Sequence, residues 1–327
     1  MKLSIAPRVI YKESDQLWPD DKLLAAYDSE SWFFYAIVRS TEGVKPIRPL
    51  NAEIKLISKK NVVRTISMTE KYLEQLLIPE EKVDLLIWNR FVEPKTLDID
   101  SLHYTLQVKD AKNARFEKTL EISILQYKQK VKLIFPVKGK CIVAVGHEHN
   151  EHHRWDRSQF AYDIFPLGPE GQLARNRGQL NEEWWGYGVP VIAPSQGIVI
   201  YARDDIPENK RPNVVPSESF YKNIADPLSA TAGNHAIIDH GNDEYSLLAH
   251  LKHESVVVQK GDHVAKGQQI GLVGNSGRSG APHLHYALRN APDFICDGLP
   301  SHFENLKLFG LEGSVTSPKR GLFLVAE

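Results

Sequence analysis

Residues 261–286, GDHVAKGQQIGLVGNSGRSGAPHLHY, constrain this chain more than any other stretch. They close on His283, Leu284 and His285, just after a glycine-rich turn. Residues two apart on a strand point to one face, so a strand here sets the imidazoles of His283 and His285 side by side. Alternation continues into Tyr286, Ala287 and Leu288, which favours a strand over a helix. Two imidazoles on one strand face are the start of a metal site, and the rest of the chain has to supply the other ligands.

The histidines point to the same part of the chain. Of 13, only His103 and His302 fall outside the span 147–285, which marks that span as the place for chemistry. Other classes of function are excluded by composition. Lys and Arg (40) nearly cancel Asp and Glu (41), which leaves no electrostatic footprint for nucleic acid or an acidic membrane. No apolar run is long enough to span a bilayer, so no membrane-spanning segment is expected. Cys141 and Cys296 allow at most one bridge and are too few for a thiolate metal site.

With 327 residues the chain can hold two cores, and the pattern divides near residue 135. Residues 1–135 read as short half-buried strands. Residues 31–40 form an apolar aromatic run, 52–58 set Ile54 and Leu56 against Glu53 and Lys55, and 115–127 alternate through Phe116, Leu120, Ile122 and Ile124. One short helix is expected over 69–77, capped by Thr69, with Tyr72, Leu73, Leu76 and Leu77 as its stripe. This spacing suggests a mostly β fold opening with an immunoglobulin-like β-sandwich, an accessory module without ligands or nucleophile. Residues 136–327 stay β-rich. A strand at 131–137 marks the crossing, and further strands are expected at 189–200, 234–239, 245–250, 255–258 and 269–273. Residues 240–243 form a hairpin turn. Two long polar stretches, 168–188 with Trp184 and Trp185, and 203–233, are candidate walls of a groove.

Residues 146–163, GHEHNEHHRWDRSQFAYD, nearly contain a zincin helix motif starting at His147, but Glu151 stands where its second histidine belongs. Asp163 remains, inside the apolar run 160–165, where a carboxylate costs free energy unless it is paired or bound to a cation. Singly, His147, His149, His152 and His153 read as solvated loop residues and His250 as a core or strand-edge histidine. Two imidazoles and one carboxylate, with a fourth position open to water, are the usual make-up of a catalytic zinc site.

At GNHAIIDHG (233–241), YSLLAHL (245–251), VVVQKGDHVAKGQQIGLVGNSG (256–277) and PHLHY (282–286) the sequence resembles the lysostaphin-type zinc metallopeptidases, over about residues 135–300. The resemblance implies an antiparallel β-sheet metallopeptidase domain over 136–327 with long loops. It also implies a zinc-dependent endopeptidase that cuts peptide bonds of bacterial peptidoglycan with metal-activated water. It makes Asp163 and His285 zinc ligands, and His250 and His283 the base and the transition-state stabiliser. The family's usual His-x-x-x-Asp reads Gln159 to Asp163 here. Some relatives carry Asn-x-His upstream, which resembles Asn150-Glu151-His152, so His152 is the expected third ligand, then His153, then Gln159. The glycine turn 274–280 is expected to let substrate backbone approach closely.

Such a substrate places the protein outside the cytoplasmic membrane, in the periplasm or the cell wall. Residues 1–15 show no apolar signal region, so export is inferred from the implied function alone. Two other readings compete. A catalytically silent relative that binds cell wall or activates a hydrolase draws only on Gln159. A lipoyl- or biotinyl-type carrier draws on GDHVAKGQQIG, but Lys266 is in the wrong stretch for attachment and the two histidines would go unexplained.

Overall fold

A computed structural model describes residues 1–7, 9–14, 29–40, 46–80, 83–146, 158–222, 224, 226–311 and 313–327. The fold is mostly β, built from several antiparallel sheets. It separates into two compact units, Met1–Tyr127 and Lys128–Glu327.

In the first unit, one sheet carries strands Lys2–Ala6, Glu13–Ser14, Ser29–Arg39 and Leu85–Pro94. The other carries Ile10–Tyr11, Arg48–Ser58, Asn61–Thr69, Ser101–Lys109 and Arg115–Leu125. Residues from both sheets share one core: Trp32, Phe34, Ala36 and Val38 from the first, Ile54, Leu56, Leu102, Tyr104 and Leu106 from the second. The run at 31–40 is continuously apolar because its other face is covered too, with Tyr35 and Ile37 packing on Leu86 and Ala6. The helix is shorter than expected, Glu70–Gln75, with Thr69 in the cap position but making no side-chain cap bond. It buries Leu73 alone, while Tyr72 is 49% exposed. Strand Arg115–Leu125 buries Ile122 and Ile124 and leaves Phe116 40% exposed, so its expected alternation holds only toward its end.

The second unit begins earlier than the pattern at 135 implied. The carboxylate of Glu244 accepts the backbone N–H groups of Lys130 and Val131, which ties the connecting segment to this unit. The strand expected at 131–137 is not formed. Leu133 makes a single bridge to Phe303, and the amide of Phe135 donates to the Asn305 side chain. Nor is there a strand at 255–258, where Asp204 takes the amides of Ser255 and Val256.

Among the described residues the main sheet has ten strands, all antiparallel. Its central run is Gly197–Arg203, Asn234–Asp239, Tyr245–Leu251, Leu284–Arg289, Tyr162–Pro166 and Gly139–Val145. A separate pair, Pro190–Ile192 and Gln269–Leu272, carries the rest of the expected strands. The hairpin turn at 240–243 forms with Gly241, Asn242 and Asp243 all at positive φ and the amide of His240 donating to the Glu244 carbonyl. Alternation gives the sheet two different faces. On one, Tyr162, Tyr286, Phe135 and Phe303 pack ring against ring. On the other lies a floor of small side chains, Ala161, Ala249 and Ala287, flanked by Ile237 and Leu247.

Candidate active site

Three neighbouring strands meet at the site. Asp163 on Tyr162–Pro166 stands directly across from His285 on Leu284–Arg289, and His285 stands across from Ala249 on Tyr245–Leu251. Asp163 and His285 thus share the floor face, and the Nδ1 of His285 lies 2.9 Å from Oδ1 of Asp163. His283 precedes its strand and bridges to Gly274, yet its Nε2 reaches the same carboxylate oxygen at 3.4 Å.

His250 reaches this face by a different route. Its neighbour Ala249 already faces the floor, so regular alternation would turn His250 away. Its backbone instead adopts φ +62°, in the left-handed region, next to a register break with strand Asn234–Asp239. Such a conformation costs on the order of 1–3 kcal/mol in a residue with a side chain, and it persists only where the surroundings enforce it. Here the His250 amide donates to Ala232 and its carbonyl accepts from Gly274. The ring comes to 4.9 Å from that of His283 and 5.8 Å from that of His285, centroid to centroid.

Hydrogen bonds fix which nitrogen of His250 and of His283 faces the site. The Nδ1 of His250 lies 2.9 Å from the Ser276 carbonyl oxygen, and the Nδ1 of His283 lies 2.7 Å from that of Ala281. A carbonyl only accepts, so both rings hold a proton on Nδ1 and turn Nε2 toward the site. Burial, and then the like charge of His283 and His285, pull the His250 pKa well below its ordinary value. Burial also pulls on His283, but the charge and hydrogen bond of Asp163 outweigh it and leave that pKa raised. Phe165, two residues beyond Asp163 and on the same strand face, stacks on His283 with centroids 5.0 Å apart and planes 14° apart.

The donors that are described suit zinc in kind. Two ligands of one tetrahedral zinc ion sit about 3.3 Å apart, and the carboxylate oxygen of Asp163 and Nδ1 of His285 are separated by 2.9 Å. Among the described residues no three His, Cys, Asp or Glu side chains are so placed that they could hold one metal ion together. His152 and His153, the expected sources of a third ligand, lie outside the described residues. Gln159, the last choice, is only 2% exposed, and its Nε2 has no hydrogen-bond partner among them.

The surroundings of the site are held by the protein's own contacts. Trp184 and Trp185 are half-buried loop anchors. The first donates to the Gly178 carbonyl, and the second lies under the Arg175 guanidinium. The glycines of the turn serve the protein's own backbone. A Cβ on Gly274 would meet Lys252 backbone at 2.4 Å, and one on Gly277, where φ is +71°, would meet the Gly233 nitrogen at 2.3 Å.

Residues 185–295 match the model of peptidase family M23. The chain carries an M23 peptidase domain. The matched stretch holds His250, His283 and His285 and starts after Asp163. The peptidoglycan DD-endopeptidase ShyA of Vibrio cholerae is 49% identical over 57 residues, 17% of this chain and 13% of that protein. An uncharacterized metalloprotease of Haemophilus influenzae is 32% identical over 114 residues, 35% of this chain and 22% of that one. The matches span less than a quarter of these relatives' own lengths. Among solved structures, the catalytic domain of lysostaphin from Staphylococcus simulans aligns at TM-score 0.28 and 21% identity, covering 49% of this chain and 88% of that one.

Proposed function

We propose that this M23 domain is a zinc-dependent endopeptidase that hydrolyses peptide bonds in bacterial peptidoglycan. The observation that carries the reading is the meeting of Asp163, His250, His283 and His285 on one face of three adjacent strands. Asp163 and His285 would hold the metal, together with His152. Zinc bound there supplies an activated water near neutral pH and polarises the scissile carbonyl.

The chain's own groups do the rest. The Nε2 atoms of His250 and His283 are the ones that face the site, because both Nδ1 protons are committed to carbonyls, and that of His283 also lies 3.4 Å from Oδ1 of Asp163. One, neutral and with its proton on Nδ1, accepts the proton of the attacking water at Nε2, and the other, as the imidazolium carrying a second proton on Nε2, donates from Nε2 to the oxyanion that develops on the substrate. Phe165 holds the plane of His283 by stacking. The first unit, which contributes none of these residues, acts as an accessory module. The named activity of ShyA supports peptidoglycan as the substrate, and with it a location in the periplasm or cell wall. Among the described residues no helix is long and apolar enough to cross a membrane.

The test compares wild type, Asp163→Ala and His152→Ala by metal analysis and by release of new peptide ends from purified peptidoglycan. Wild type should bind zinc and release ends, and both variants should lose zinc. Zinc lost from Asp163→Ala but kept by His152→Ala would remove His152 from the ligand set. Zinc bound by wild type without any release would turn the reading into that of a silent, wall-binding module.

A further inference from the structure

The glycine-rich turn at 274–281 carries the two carbonyls that orient His250 and His283, yet Gly274, Gly277 and Gly280 make it the most permissive backbone near the site. Something has to hold it. Three buried asparagines do so, one from each of three loops. Asn181 comes from the 168–188 stretch, Asn209 from 203–233, and Asn275 from the turn itself.

Asn209 is at the centre. Its Nδ2 donates to the carbonyls of Gly277 at 3.1 Å and Ser279 at 2.9 Å, and lies 3.4 Å from Oδ1 of Asn275. Its backbone amide donates to the Asn275 carbonyl, and its own carbonyl accepts from Nδ2 of Asn181 at 2.8 Å. The ring closes where Nδ2 of Asn275 donates to Oδ1 of Asn181 at 2.9 Å. The orientation of the Asn209 amide is forced, because a flipped group would set its oxygen against two carbonyl oxygens. The consequence is an Oδ1 buried without a hydrogen-bond partner among the described residues, in a side chain only 4% exposed. A buried orphan acceptor is costly and calls for a reason.

We infer that Asn209 is a positioning residue for His250 and His283, holding the 274–281 turn so that its carbonyls keep the proton of each imidazole on Nδ1. The route to each ring is short. Ser276, whose carbonyl takes the His250 Nδ1 proton, is pinned between Asn275 and Gly277, both bonded to Asn209. Ser279, whose carbonyl accepts from Asn209, donates its hydroxyl to the Ala281 carbonyl that takes the His283 proton. The 203–233 stretch, expected as a groove wall, thus braces the catalytic groups from behind.

The kinetic arm of the test rests on the peptidase reading, and the spectroscopic arm does not. In the zinc-loaded full chain, Asn209→Ala should lower kcat on a peptidoglycan peptide by about 10- to 100-fold, with KM changed by less than about twofold. Imidazole ¹⁵N spectra should show His250 and His283 passing from one tautomer to a mixture. Asn181→Ala leaves the bonds to Gly277 and Ser279 intact, so it should show the same mixing to a smaller degree, and it carries the test if Asn209→Ala does not fold. Unchanged tautomers in a folded variant would overturn the inference. Wild type that fails to cleave would sink the peptidase reading, while the spectra would still decide the role of Asn209.

Discussion

Strand Ser101–Lys109 of the first unit and strand Tyr245–Leu251 of the second are built under different rules. In the first, Leu102, Tyr104, Leu106 and Val108 are buried and the residues between them are half-exposed, without a break. In the second, everything from Ser246 to Leu251 is buried, and alternation fails at His250, where φ turns positive. The regular strand follows from packing alone. The irregular one accepts backbone strain in order to bring a third imidazole to a face that already holds His283 and His285. A departure from period two, enforced by hydrogen bonds on both sides of the residue, sets this strand apart from one built by packing alone, and under the proposed function it brings a catalytic group to the site.

Substitutions in the two strands should therefore separate. His250→Ala should lower kcat/KM by about 10²- to 10⁴-fold while the urea midpoint hardly moves. Leu106→Ala should do the reverse, destabilising the first unit by about 2–5 kcal/mol with kcat/KM per folded molecule unchanged. Equal losses of kcat/KM in both would break the comparison.

A third, smaller effect belongs to the interior of the second unit. His235 is fully buried beside strand Tyr245–Leu251, and burial, reinforced by the charges of Arg289 and Arg203, depresses its pKa to about 4. A histidine with a folded pKa below its unfolded value takes up its proton more readily when unfolded. Stability is therefore fully present above pH 6.5 and is lost as pH falls from 6.5 toward 4, by on the order of 3 kcal/mol in all. Denaturant titrations of wild type and His235→Asn at pH 7 and pH 4.5 check the sign. Wild type should lose stability over that interval, and the variant should lose markedly less. A wild type that grows more stable on acidification would contradict the account.

Much of this could be read from the residues because it follows from periodicity. The alternation at 52–58 and the turn at 240–243 are local signals, and both elements form with little dependence on the rest of the chain. Asp163 stood out as a carboxylate inside an apolar run, and His283 and His285 as a pair two apart. What local pattern cannot give is long-range pairing. Residues 131–137 look like a strand, but the amides of Val131 and Phe135 are taken by Glu244 and Asn305, more than a hundred residues away. The positive φ of His250 leaves no mark in YSLLAHL, and only the resemblance brought that residue to the site. Phe165 could have been found from its place two residues beyond Asp163. The asparagines could not, because each lies in a loop without periodicity.

The most direct test of the central claim is release of new amino termini from purified peptidoglycan by the zinc-loaded chain, with Asp163→Ala alongside at equal folded concentration. Release by wild type, removed by a chelator, restored by zinc and absent from Asp163→Ala, is the predicted result. Equal release by wild type and Asp163→Ala, or release that a chelator leaves untouched, would contradict it.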